Sequence, residues 1–126
     1  MQTISFVSTF HKPVLDLYGQ RFIDSFSANV DKDIKLYLYT EHCEPKVNDE
    51  RVVVLEQSNN LPKLMAFKNK YKNVPKANGE CPPEIKRRRP RDWHKGFKWD
   101  AVRFANKTYA VFDAAQRCDT DWIIWL

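Results

Sequence analysis

Most of the side chains in this sequence that could engage a ligand are cations, and they are crowded together. Eleven of its 21 Lys and Arg residues fall between Lys68 and Lys98, opposed there only by Glu80, Glu84 and Asp92. The remaining ten cations face thirteen acids, so the rest of the 126 residues carries a net −3 while this segment carries +8. An anionic partner is therefore met through that segment. Its centre, Lys86-Arg87-Arg88-Arg89, is followed by Trp93, Phe97 and Trp99. Cations that neutralise phosphate beside rings that stack on bases suit single-stranded nucleic acid, so Lys86 to Lys98 supports one reading as a small basic nucleic-acid-binding protein. The plainer reading is a solvated loop whose flanking aromatics open the next helix, and on that reading nucleic acid is not the expected partner.

Other chemistries are poorly served. Cys43, Cys81 and Cys118 are odd in number and far apart, and His11, His42 and His94 lack ligand spacing. This argues against a Cys/His metal site or a disulfide framework and for reduced thiols in a cytoplasmic setting. Asp119-Thr120-Asp121 pairs two carboxylates, but just before an apolar run, where Asp and Thr are turn residues. With three glycines and neither G-x-G-x-x-G nor G-x-x-x-x-G-K-[ST], a glycine-rich phosphate cradle is excluded. No apolar run approaches the ~20 residues of a membrane span, and Met1 to Val7 has no signal-peptide pattern. An apolar content of 43% and this length suit one globular domain.

The elements that must position these groups follow from periodicity. Thr3 to Thr9 reads as a first strand, and Pro13 suits the first turn of a helix. Leu15, Tyr18, Phe22, Phe26 and Val30 recur at helical steps over Val14 to Val30. Gly19 inside that helix reads as close packing of helix on sheet. Ile34 to Tyr39 is a second strand, whose alternation of Leu36 and Leu38 with Tyr37 and Tyr39 predicts one less buried face. Arg51 to Glu56 is a third, and the absence of tight two-residue turns implies crossovers and a parallel sheet. Leu61 to Tyr71 reads as a short helix, capped by Asn59 or Asn60. Asn73 to Asp92, with four prolines, reads as a mobile basic loop. From Trp93 to Arg117 helical spacing returns, with Phe97, Ala101, Phe104, Thr108, Phe112 and Ala115 as the core stripe. The last stretch, Trp122-Ile123-Ile124-Trp125-Leu126, reads as a strand buried on both faces. The fold class is α/β: a Rossmann-like three-layer sandwich on a mainly parallel sheet of about four strands.

The run Phe104-Ala105-Asn106-Lys107-Thr108-Tyr109-Ala110, ending in Asp121-Trp122-Ile123-Ile124-Trp125-Leu126, resembles the nucleotide-sugar-dependent glycosyltransferases of the GT-A fold. Ile4-Ser5-Phe6-Val7-Ser8-Thr9-Phe10 is similar to that family's first strand and nucleotide-contacting loop. In the family an Asp-x-Asp motif after the hydrophobic strand holds a divalent metal against the sugar-nucleotide diphosphate. Here the sequence stops at that point, and Asp119-Thr120-Asp121 lies at the other end of the strand. The resemblance thus implies half of a GT-A fold: the N-terminal nucleotide-sugar-binding part of a glycosyltransferase, not active alone and with no catalytic residue of its own. Mn²⁺ or Mg²⁺ is expected for the full-length family member and none is held by this chain.

The implied ligand is a nucleotide-diphosphate sugar. Thr9 and Phe10 sit beside its base and ribose, Tyr39 and Thr40 close that pocket, and Lys107 and Arg103 face the nucleotide. In doubly wound sheets ligands lie beyond the strand C-termini, which is where these residues fall. A strand that ends the chain with two tryptophans has an edge able to pair with a copy of itself, so a homodimer through residues 121–126 is expected.

Overall fold

The structure is a computed structural model that describes residues 1–88 and 96–126. Among the described residues four strands form one wholly parallel sheet in the order β3-β2-β1-β4. β1 (Ile4–His11) leads into a continuous helical segment: a first turn α1 (Lys12–Val14), a π-turn (Leu15–Gly19) and α2 (Gln20–Asn29). β2 (Lys35–Glu41) and β3 (Val52–Glu56) follow, then α3 (Gln57–Asn60) and α4 (Pro62–Tyr71). The short α5 (Pro83–Arg88) precedes α6 (Ala101–Arg117) and β4 (Trp122–Trp125). No described helix is long and apolar enough to cross a membrane.

The sheet carries a helical layer on each face, which makes the expected three-layer sandwich. On one face Leu36 and Leu38 of β2 meet Phe10, Leu15, Ile23 and Phe26. On the other, Tyr37 and Tyr39 meet Leu61 and Leu64 of the α4 side and Ala105, Ala110 and Ala114 of α6. Each large aliphatic side chain so buried contributes about 1.5–3 kcal/mol. The less buried face expected for β2 is not found, because the tyrosines fill the α6 side: both Tyr37 and Tyr39 are buried. Alternation of Leu with Tyr registers two apolar faces of different chemistry.

Two further expectations are corrected. β4 is an edge strand, and only its Ile123 and Trp125 face is packed, beneath α6. Trp122 and Ile124 point the other way and are 55% and 41% exposed, since no described helix covers that side. On α6 the buried residues are Ala105, Ala110 and Ala114, while Phe104 and Phe112 of the expected core stripe stand in solvent. Small residues let the helix approach the sheet closely, so the contact face is the one with alanines rather than the one with phenylalanines.

Of the basic stretch expected as a mobile loop, residues 73–88 carry a 3-10 turn at Pro75–Ala77 and the helix α5. The Gly79 N–H donates to the Trp99 carbonyl at 2.6 Å, tying it to the turn Gly96–Trp99 that leads into α6. Residues 89–92 and Trp93 lie outside the described residues. Asn59 and Asn60 belong to α3, and the residue at the start of α4 is Leu61, with no side-chain cap.

Arg51, read as the first residue of β3, is instead a buried knot beside it. Its Nε and Nη2 donate to Asp49 Oδ1 (3.1 Å) and Oδ2 (2.7 Å). Nη1 donates to the carbonyls of Val30 (3.0 Å) and Asp31 (2.8 Å), and Nη2 also to that of Ser27 (3.2 Å). The guanidinium carbon lies 4.8 Å from the Phe26 ring centre. A cation is thus fixed at the C-terminus of α2, where the helix dipole favours it.

Candidate functional site

Because all strands are parallel, their C-termini share one edge of the sheet. From β1 the chain moves to β2 on one side and returns to β4 on the other, so the crevice between the ends of β1 and β4 is a switch point of the topology. A cleft of about 730 Å³ opens there.

β1 supplies Thr9, Phe10 and His11 to one wall, and Val14 and Tyr18 from the helical segment extend it. Phe10 is held edge-on between Tyr18 and Phe22, at ring separations of 6.4 and 5.5 Å. Gly19 backs it: a Cβ there would lie 2.9 Å from Phe10 Cδ2, closer than packing tolerates. The reading of Gly19 as a close-packing residue holds, and its neighbour is the ring that lines the cleft.

The far wall comes from β2, α3 and α4. Glu41, the last residue of β2, accepts from Lys68 Nζ at 3.0 Å, and the same ammonium reaches Gln57 Oε1 at 3.3 Å. Trp125 closes the end of β4. The roof is the first two turns of α6. Asp100 caps it by accepting from the Arg103 N–H at 3.1 Å. Arg103 and Lys107 follow one turn apart, both lining the cleft and both exposed. Neither has a carboxylate partner among the described residues. Lys107 Nζ rests 5.0 Å above the centre of the Trp125 ring. Asn106, between them, donates from Nδ2 to the Arg103 carbonyl (2.9 Å) and leaves its buried Oδ1 without a protein partner.

Four of the six residues expected at a nucleotide site, Thr9, Phe10, Arg103 and Lys107, therefore meet in one cleft. Tyr39 and Thr40 do not reach it. Tyr39 is fully buried on the α6 face, where its hydroxyl donates to Asp113 Oδ2 at 2.6 Å. Burial, then this bond to a carboxylate, hold its phenol well above the usual tyrosine range. Thr40 is buried and donates to Glu56 Oε2 at 3.0 Å. β2 runs to Glu41, so that residue occupies the mouth. Glu41, Gln57, Lys68 and Trp125 were not anticipated. Glu41 was accessible to reasoning as the residue just past the apolar part of a parallel strand. Lys68 was hidden among ten other cations.

Among the described residues the carboxylates of the cleft are Glu41, paired with Lys68, and Asp100, engaged by the first turn of α6. Among the described residues no group of three or more His, Cys, Asp or Glu side chains could hold a metal ion. Asp121 lies at the opposite edge of the sheet and accepts from the Thr3 N–H (2.8 Å) and Thr3 hydroxyl (3.1 Å), fixing the turn before β4. A cleft with two cations unpaired among the described residues, a paired third, an aromatic wall and a carboxylate at its mouth suits a small anion carrying a ring and hydroxyls. Comparison of the chain with protein-family models, curated proteins and solved structures returns no match.

Proposed function

We propose that this chain is the nucleotide-sugar-binding part of a GT-A-like glycosyltransferase, and that the cleft at the strand C-termini takes the nucleoside diphosphate. The observation that carries the reading is the pair Arg103 and Lys107, side by side and without carboxylate partners among the described residues, at the switch point of a parallel sheet. A diphosphate satisfies both charges. Phe10 and Tyr18 offer ring edges to the base, and the Glu41 carboxylate accepts from ribose hydroxyls. This chain alone is not expected to transfer sugar. Three free cysteines favour a cytoplasmic setting.

Calorimetric titration with uridine, guanosine, adenosine and cytidine diphosphates, with and without Mn²⁺, tests the proposal. Affinity in the high micromolar range is expected for the uridine or guanosine diphosphate, and loss of it in Lys107→Ala and Arg103→Ala. Equal heats for all four nucleotides, unchanged in Lys107→Ala, would remove the assignment. A second reading, nucleic-acid binding, is favoured by Lys86, Arg87 and Arg88 of α5, all exposed. Filter binding to single-stranded RNA over a salt series decides it: no retention even at low salt excludes it.

A further inference from the structure

We infer that Trp125 is a positioning residue for Lys107: its ring face holds the ammonium at the cleft, already placed for the diphosphate. This rests on the nucleotide reading of the cleft and says which part of that site is pre-set. The parity of β4 is the first reason. Ile123 and Trp125 pack toward α6 while Trp122 and Ile124 point away, and Trp125 pairs with the buried Val7 at the sheet's C-terminal edge. Its ring therefore lies beneath the second turn of α6, where Lys107 projects. The second reason is the 5.0 Å separation of Lys107 Nζ from the ring centre, within the range at which a cation is attracted to the face of an indole. The third is that both residues line the same cleft.

A lysine on a free stem must be immobilised when it binds a ligand, and that entropy is lost at the moment of binding. A lysine resting on a ring has given up much of that freedom beforehand. The ammonium carries three N–H donors, and contact with one ring face leaves donors free for phosphate oxygens. Ring and anion are therefore served together and do not compete. Arg103, one turn earlier, has no such ring beneath it among the described residues, so it is the adaptable half of the clamp.

The test uses the whole chain with pyrophosphate, uridine and uridine diphosphate as probes. In the free protein the Lys107 ε-methylene protons are expected to show an upfield ring-current shift, lost in Trp125→Leu and kept when pyrophosphate binds. Trp125→Leu is expected to weaken pyrophosphate and uridine diphosphate about twofold to fivefold, the worth of an exposed cation–π contact, and to leave uridine unchanged. Trp125→Tyr, which keeps a ring face, restores most of the loss. The losses in Trp125→Leu and Lys107→Met do not add in the double variant. Tighter binding by Trp125→Leu would mean that the ring competes with the ligand, and equal weakening of uridine and uridine diphosphate would mean that it only shapes the wall. Either result, or a wild type without the ring-current shift, overturns this inference alone. A wild type that binds neither pyrophosphate nor uridine diphosphate overturns the nucleotide reading and this inference with it.

Discussion

Replacing Arg51 tests how the α2 side of the sandwich is held. The guanidinium has five N–H donors, and five acceptors meet them: both oxygens of Asp49 and the carbonyls of Ser27, Val30 and Asp31. Arg51→Met keeps much of the stem and removes every donor. It leaves the Asp49 carboxylate without its cation and takes a donor from three carbonyls at the end of α2, of which that of Asp31 keeps the Ile34 N–H at 3.1 Å. Leaving polar groups of the α2 end without their donor costs about 1–3 kcal/mol, a sizeable share of the 5–15 kcal/mol typical of a domain. Arg51→Lys restores the charge with only three donors and no planar fork, so it is expected to recover less than half of the loss. Urea unfolding followed by tryptophan fluorescence measures both. The pH dependence supplies an independent check. Arg51, through its side-chain and backbone N–H groups, lowers the Asp49 carboxyl from 3.8 to about 2. A carboxyl lowered on folding contributes stability above its unfolded value, which is lost as pH falls through the folded one. The wild type therefore sheds this contribution between about pH 4 and pH 2, and Arg51→Met, which keeps only the backbone N–H of residue 51 on Asp49, sheds less of it. An Arg51→Met variant within 1 kcal/mol of the wild type at pH 7 would refute the reasoning, because the knot would then be decoration on a core that stands without it.

Tyr39→Phe removes a donor to a carboxylate that keeps its bond from Arg117 Nε (2.5 Å), so a loss of about 1.5 kcal/mol by urea titration is expected. The Tyr39 phenol is raised on folding, so the wild type also loses stability as pH rises above 10, a decline that is smaller in Tyr39→Phe, where only the likewise raised Tyr37 remains of the two. Gly19 has ordinary helical angles (φ −60, ψ −39), where alanine is worth about 1 kcal/mol more. The overlap with Phe10 opposes it with about 1–3 kcal/mol, so Gly19→Ala is expected to destabilise and to weaken nucleotide binding together, and a stabilised variant with unchanged binding would show that the ring yields freely. The Trp122 and Ile124 face and the outer edge of β4, both uncovered among the described residues, lead us to expect a homodimer through residues 121–126. Ultracentrifugation at micromolar concentration checks this against Ile124→Lys, which should sediment as a folded monomer; a monomeric wild type ends the idea.

The layered architecture was legible because crossovers and apolar runs are long signals that average over many residues. What the sequence concealed were properties of single positions. Tyr37 and Tyr39 look amphipathic in a list of residues, and only the proximity of Asp113, 74 positions away from Tyr39, makes the second of them a core residue. Phe104 and Phe112 outweigh alanine on any scale of apolarity, yet close approach selects Ala105, Ala110 and Ala114 to face the sheet. The site was legible where it depends on strand ends, as for Thr9 and Phe10, and on one helix face, as for Arg103 and Lys107. It was illegible where it depends on where a strand stops, which moves the mouth of the cleft from Thr40 to Glu41.

The π-turn at Leu15–Gly19 accommodates one residue more than an α-helix would over the same rise. Each helical residue turns the chain by about 100°. The insertion therefore sets the aim of everything before it relative to everything after it. Downstream, Ile23 and Phe26 are locked into the core. Upstream and within the turn, Val14 and Tyr18 face the cleft. Deleting one residue here would relax the turn to α-geometry and swing the upstream side chains to a new azimuth, with the α2 contacts left in place. One wall of the cleft can thus be re-aimed by a change in chain length alone. Homologous chains that differ by one residue at this turn would present different walls to the same strand ends.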